Sequence, residues 1–339
     1  MEYDDILKNA REKIGPKCKV CPVCNGLGCQ NTLPGPGSKG PGNGANDNYE
    51  AWRKIKLNMD CIEANTPIDT TAQLFGRNLS IPLLSAPIGS IRLQFNPEDD
   101  IRDFNEKCLA ACESRNVMHF YSTGLNADVH EHAINSRINH GNCGIPVINP
   151  EPDENIIAQI KMCKEKTAPA AITVVVDSAG LPHLKACNGN AGTKSIEQLR
   201  LLKEAAGLPM VIKGVMTAKS ALKAVDAGAD AIIVSNHGGR SLSDTPATAE
   251  VLEEIAHAVE NRAQIIVDGG IRSGIDMFKA YALGADFVMI CRPVLISYYG
   301  GGQEGIECYF DKLKAELVDT MYMCGARSIK GITRDMIRR

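Results

Sequence analysis

From Ile81 onward the chain repeats one unit: a short apolar run, a turn, then an amphipathic helical stretch. The eight apolar runs read IPLLSA, VMHFYS, IPVIN, AAITVVVD, PMVIK, AIIVSN, QIIVD and FVMIC. Nearly continuous apolar strands that alternate with helices need a parallel sheet covered on both faces. Eight such units predict an α/β fold closed as a (β/α)8 TIM barrel. An open doubly wound sheet is the alternative. The 339 residues divide into residues 1–57, a helix followed by a Cys/Gly/Pro-rich extension, and residues 58–339, a barrel with C-terminal helices.

An internal repeat sharpens the barrel reading. GVMTAKSALKAVDAGADAIIVS from Gly214 returns as GIRSGIDMFKAYALGADFVMIC from Gly270, at a constant offset of 56 residues. Thr217 matches Ser273, Lys223 matches Lys279, and Gly228-Ala229-Asp230 matches Gly284-Ala285-Asp286. Each copy reads loop, N-cap, helix, glycine at the helix end, strand. The repeat therefore puts Ser235-Asn236 and Cys291-Arg292 at equivalent strand ends, on the face where barrels carry their chemistry.

Polar residues cluster at those ends. Ser122 follows strand two, Asp177 strand four, Lys213 strand five, His237 strand six, Asp268-Gly269-Gly270 strand seven and Arg292 strand eight. One polar residue after a strand means little, because any barrel loop is polar. The joint pattern points to a site. Gly269 and Gly270 would let backbone approach a ligand, and their amides, the helix start near Ser273, Arg272 and Arg292 suit an anion such as phosphate. A plain turn with surface arginines is the bland reading.

The remaining sequence excludes several classes. Net charge is −3, which offers no general attraction to nucleic acid or anionic membrane. No apolar run of 18 residues is present, so no transmembrane helix is expected, and MEYDDILKNA lacks the apolar region of a secretory signal. Thirteen cysteines, an odd number, fit reduced thiols in a cytoplasmic protein. Residues 1–14 are expected to form a helix stopped by Gly15-Pro16. The stretch 17–47 has no helical or strand period and must be tied down by something else. It contains Cys18, Cys21, Cys24 and Cys29 in the spacing C-x2-C-x2-C-x4-C. That spacing suits thiolates converging on zinc or an iron–sulfur cluster; a redox dithiol or a loose arm of thiols is the alternative. Cys108 and Cys112 read as small core residues, and His130, His132 and His140 as a polar helix face.

VSNHGGR at Val234–Arg240, DTPAT, IIVDGGIRSGIDMFKAYALGADFVMICRP and GARSIKGI together resemble the FMN-dependent 2-hydroxy-acid oxidases and dehydrogenases, the family of glycolate and lactate oxidases. GAND at 44–47, SAP at 85–87 and IKGV at 212–215 extend the resemblance from about Asn43 to the C-terminus. The resemblance implies FMN across the barrel mouth, with its phosphate at Gly269, Gly270, Arg272 and Arg292. Ala86, Pro87, Ile88 and Gly89 would meet the flavin through backbone and Ser122 through its hydroxyl; Ser235, Asp268 and Cys291 complete the cofactor set. Lys213 would face flavin N1 and O2; a Schiff-base lysine or a simple pair with Asp268 is the alternative. His237 would be the base that takes a proton as electrons pass to flavin N5. Asp177 would hold the imidazolium, and Arg240 would bind the substrate carboxylate. The implied reaction turns a lactate- or glycolate-like 2-hydroxy acid into a 2-oxo acid. The electron acceptor is unnamed, and a homo-oligomer, a tetramer by resemblance, is expected. Other flavin chemistry (isomerisation, or oxidation of a non-carboxylate) and a flavin- or metal-based redox sensor stay open.

The pattern departs from the family around the substrate. The N-terminal part that carries a substrate-binding tyrosine is replaced by the cysteine-rich segment. Gly124 stands where an aromatic is usual, Val147 and Asn149 where Gln and Tyr are usual, and Cys291 where glycine is usual. The second carboxylate-binding arginine after strand four is missing, with His183 or Lys185 as substitutes.

Overall fold

The computed structural model describes residues 2–124, 127–182, 184 and 191–339. Eight parallel strands close into a barrel: β1 (Leu83–Ser85), β2 (Met118–Ser122), β3 (Gly144–Ile148), β4 (Ile172–Val175), β5 (Met210–Val215), β6 (Ala231–Val234), β7 (Gln264–Val267) and β8 (Phe287–Ile290). Strand β8 pairs with β1, Met289 opposite Leu84, which closes the sheet and rules out the open alternative. Around it lie α1 (Ile101–Arg115), α2 (Ala127–Asn139), α3 (Asp153–Lys166), α4 (Ile196–Ala206), α5 (Ala218–Asp226), α6 (Thr248–Val259), α7 (Gly274–Ala282) and α8 (Arg292–Met323).

The repeated units are built as their sequences predict. Thr217 and Ser273 are extended N-caps, accepting from the amides of Ser220 at 3.0 Å and Asp276 at 3.2 Å. Such caps satisfy amides that a helix start otherwise leaves bare. Gly228 and Gly284 turn the chain out of each helix with φ of +89° and +99°.

Two apolar layers follow from the strand period of two. One set of side chains, including Val174, Ile212, Ile232 and Val267, packs outward against the helices. The other, including Leu84, Phe120, Val147, Val175, Val211, Ile233, Ile266 and Met289, fills the barrel. A hairpin of Ala72–Leu74 and Arg77–Leu79 adds Leu74, Phe75 and Leu79 to this inner cluster and stoppers the barrel's lower end.

The N-terminal residues wrap the outside and the top. The predicted first helix spans Tyr3–Lys13 and buries Ile6 and Ala10 against α8. Helix α8 bends at Gly301-Gly302. A second helix, Gly44–Lys54, lies over the loops after β6 and β7, and Trp52 Nε1 donates to the Gly269 carbonyl at 2.8 Å. Residues 56–57 then pair antiparallel with 337–338. No helix among the described residues is long and apolar enough to cross a membrane.

Candidate active site

The inner layer ends in chemistry. Two residues past each inward-facing apolar side chain comes the next inward position: Ala86, Ser122, Asn149, Asp177, Lys213, Ser235, Asp268 and Cys291, after Leu84, Phe120, Val147, Val175, Val211, Ile233, Ile266 and Met289. These eight form the uppermost ring of the barrel. Above them opens a cavity of about 1240 Å³, mouth included, that is lined by the Ala86–Gly89 backbone stretch, Ser122, Lys213, His237, Arg240, Asp268–Arg272, Cys291 and Arg292. Val147, Val175, Leu181, Leu184 and Met289 supply its apolar wall.

Lys213 is buried, and its ammonium donates to Asp268 Oδ2 at 2.8 Å and to Ser235 Oγ at 2.7 Å. Burial works against its charge, but Asp268 and Asp177 outweigh that and hold its pKa above the ordinary value. Strand β5 is irregular between Lys213 and Val215. At the intervening Gly214, φ is +108°, and a Cβ would lie 2.6 Å from the Asp177 Cβ. A glycine there lets the Asp177 side chain lie against the strand.

Asp177 faces His237, with Nδ1 at 3.1 and 3.2 Å from its two carboxylate oxygens. The Ser241 hydroxyl donates to the same carboxylate at 3.0 Å. Burial raises the Asp177 pKa, yet His237, Lys213 and Ser241 more than reverse this and leave it lowered. With Nδ1 engaged, Nε2 is the remaining ring nitrogen. His237 itself sits in the left-handed region at φ +58°, a conformation that loops at functional sites often hold.

Arg240 lines the same cavity, and its guanidinium already has partners. Nη1 donates to the carbonyls of Gly35 and Gly37, and Nη2 donates to Gln94 Oε1 at 2.9 Å. Burial lowers its pKa to about 10. Sequence reasoning did not find Gln94, Ser241 or the Gly35–Gly37 strap. Ser241 sits one residue past the HGGR motif, but Gln94 and the strap lie 146 and more residues away.

The arginines after β7 and β8, Arg272 and Arg292, line the same cavity. Arg272 Nε donates to the Cys24 carbonyl at 2.8 Å, Nη1 donates to its neighbour Ile271, and Nη2 is buried with no hydrogen-bond partner. Arg292 Nη1 donates to the Pro36 carbonyl at 3.5 Å. The two glycines also meet the chain itself. A Cβ at Gly270 would lie 2.2 Å from the Asn48 carbonyl oxygen, and one at Gly269 would lie 2.9 Å from the Asn48 amide nitrogen. Their missing side chains make room for the chain's own Gly44–Lys54 helix, while both glycines also line the cavity. Asn48 in turn exchanges hydrogen bonds with Asn236 at 2.7 and 3.2 Å, a buried contact between residues 188 apart in sequence.

Other sequence expectations meet the structure as follows. His130 is buried, with Nε2 3.2 Å from Cys163 Sγ, so it belongs to a packed interface and not to a polar face. Burial lowers its pKa to about 4. His140 does face solvent-side partners, Glu106 and Glu113. Cys108 and Cys112 are buried as expected, with Cys108 against Ser85 and His119. His183 and Lys185 lie outside the described residues. Cys18, Cys21, Cys24 and Cys29 line one cavity together. Even so, no three His, Cys, Asp or Glu side chains among the described residues are drawn together to hold a metal ion, so the expected zinc or iron–sulfur site is not preassembled.

Known proteins give the site its class. Residues 36–192 and 184–339 match the family model described as FMN-dependent dehydrogenase, which makes this barrel a flavin-dependent oxidoreductase. A peroxisomal (S)-2-hydroxyacid oxidase of Arabidopsis thaliana is 32% identical over 330 residues, covering 86% of this chain and 87% of the relative. An L-lactate oxidase of Lactobacillus jensenii is 45% identical over 138 residues, 41% of this chain and 34% of the relative. A mandelate oxidase variant solved with 2-hydroxy-phenylacetamide superposes with a TM-score of 0.80 at 26% identity, over 99% of this chain and 97% of that one. The chain belongs to the FMN-dependent dehydrogenase family.

The residues present fit FMN. The unpartnered Arg272 Nη2 is a buried donor in need of an acceptor, which a phosphate oxygen supplies. Lys213 offers a fixed positive charge at the cavity floor, and the apolar wall suits a flat ring.

Proposed function

We propose that this chain oxidises a small 2-hydroxy acid to the 2-oxo acid, with His237 as base and Arg240 as carboxylate anchor. The observation that carries the reading is the Asp177–His237 pair beside Arg240 and Lys213 around one cavity. FMN supplies the two-electron acceptor when bound. Arg272, Arg292, Ser122 and the Ala86–Gly89 stretch would hold it, with Lys213 at the ring.

His237 takes a proton from the substrate at Nε2, because Nδ1 is turned to Asp177. The carboxylate fixes the tautomer and stabilises the imidazolium, and Ser241 keeps the carboxylate from rotating. Arg240 has five N–H donors and three contacts, so donors remain for a substrate carboxylate. Gln94 and the Gly35 and Gly37 carbonyls hold its plane in place, a task that needs no aromatic cage. Phe95, Leu181 and Leu184 line the cavity where the family's aromatics are absent, and they favour a short aliphatic acid.

Residues 1–57 act as a cap on the barrel of residues 58–339; the Trp52–Gly269 bond and the 56–57 pairing with the C-terminus support this. The four N-terminal cysteines belong to the same reading as a thiolate-bound metal centre, zinc or iron–sulfur. A cytoplasmic homo-oligomer is the assembly that goes with it; the odd number of cysteines supports a reducing compartment. The test is anaerobic titration of the yellow protein with a panel of 2-hydroxy acids. Bleaching of the flavin by a short acid is expected. Flavin that no 2-hydroxy acid bleaches would remove the proposal.

A further inference from the structure

We infer that Cys18, Cys21, Cys24 and Cys29 hold a [4Fe–4S] cluster next to the flavin pocket and that this cluster passes the substrate's electrons to an external one-electron acceptor. The electron-passing part rests on the proposed 2-hydroxy-acid oxidation; the cluster itself does not.

All four cysteines line a single small cavity. The spacing alone brings three of them onto one loop, and Cys29 joins through the turn Leu27–Cys29. Gly28 completes the fit, since a Cβ there would lie 2.8 Å from Cys21 Sγ. The four ligands are all thiols, the donor set of a four-iron cluster. No three such side chains among the described residues are yet drawn together around a metal ion, so the loop must close on the cluster as it is assembled.

The segment also needs such an occupant. Between Gly15 and Asn43 it has no strand and only one three-residue turn. Long-range side chains hold its carbonyls: Lys17 on Pro34, Arg240 on Gly35 and Gly37, Arg292 on Pro36, and Arg272 on Cys24. Four covalent ligands would supply the anchoring that a missing core does not. Charge agrees. An oxidised cluster with four thiolates carries two net negative charges, and the two guanidiniums of Arg272 and Arg292 stand against this loop.

Location gives the role. Pro36, Phe95 and Arg292 line both the cysteine cavity and the flavin cavity, so one layer of side chains separates them. Lys19 and Leu27 mark the outer side, and Leu27 is 58% exposed. Oxidising one hydroxy acid to the oxo acid releases two electrons and two protons. The cluster takes the electrons singly and hands each to a small haem or iron–sulfur carrier. Two carriers are thus reduced per substrate, and the protons go to solvent.

The experiment is anaerobic preparation of the full chain, with ferrous iron and sulfide supplied, and assay of iron, acid-labile sulfide and flavin. About four iron and about four sulfide per chain are expected, with an electron-paramagnetic signal on dithionite reduction. The Cys21→Ser and Cys24→Ser variants should lose both the sulfide and the signal while keeping flavin. Zinc without sulfide, or no metal after reconstitution, overturns the cluster, and so does an undiminished signal in both variants. Adding a 2-hydroxy acid alone should raise the same signal in wild-type protein. A cluster that stays oxidised while the flavin bleaches overturns the relay and leaves the proposed oxidation standing. Intact iron and sulfide with flavin that no acid bleaches removes the oxidation and leaves the cluster standing.

Discussion

Replacing Asp177 with asparagine isolates the proton-transfer part of the proposal, because the substitution keeps the shape of the side chain and removes its charge. Asp177 stands 3.1 Å from His237, and the two side chains are 11% and 26% exposed. At an effective dielectric of about 20, unit charges at that distance attract by about 5 kcal/mol. Partial solvent access to the imidazole and the dipole left by the amide together remove about half of this. The remaining 2–3 kcal/mol corresponds to flavin reduction slower by about 30- to 150-fold. An amide that turns its NH2 towards Nδ1 forces the proton onto Nε2, which deepens the loss. The assay is anaerobic stopped-flow reduction of the bound flavin across substrate concentration, with flavin content and melting temperature as controls. The loss should fall on the limiting rate and spare half-saturation. Unchanged limiting rate with flavin retained would refute the role of Asp177 and, with it, the assignment of His237.

Arg240→Met should raise the KM for a 2-hydroxy acid by about 30-fold or more, from the 2–5 kcal/mol a truncated buried charge pair costs. The matching 2-hydroxy amide, turned over by both proteins, should show no such change. Gly270→Ala should lower unfolding stability by at least about 2 kcal/mol, since its Cβ would meet the Asn48 carbonyl at 2.2 Å and its φ is +79°, and a thermal melt reads this directly. Lys213 and Asp177 shape stability against pH. The raised Lys213 pKa contributes fully below the ordinary lysine value of 10.5 and is lost as pH climbs through the folded value. The lowered Asp177 pKa contributes above the ordinary value of 3.8 and is lost as pH falls through the folded value. Denaturant unfolding of wild type and Lys213→Met against pH checks the first: the variant should lack the alkaline decline specific to this pair.

The barrel was legible because each strand is a continuous apolar run and because the repeat from Gly214 and Gly270 carries its own caps. The ring of site residues was legible for a related reason: the period of two that buries Val211 and Ile266 also delivers Lys213 and Asp268 to the mouth. Contacts across the sequence were not. Asn48 lies 188 residues from Asn236, Trp52 lies 217 from Gly269 and Gln94 lies 146 from Arg240, and no local pattern couples such pairs. The helix that packs against Gly269 and Gly270 was unforeseen for this reason, since it lies far upstream. His130 was misread because spacing along α2 says nothing of Cys163 on α3.

The long reach of the Gly44–Lys54 helix also sets an order of assembly. Its partners, Asn236, Thr248 and Gly269, are made about 200 residues later. At about 5–20 residues per second, the ribosome takes roughly 10–40 s to cover that interval. Through it, the helix lacks these late partners. The barrel cannot close before β8 emerges to meet β1, so the cap, the cofactor loops and the barrel seam are completed together at the end of synthesis. The cap is thus made first and docked last.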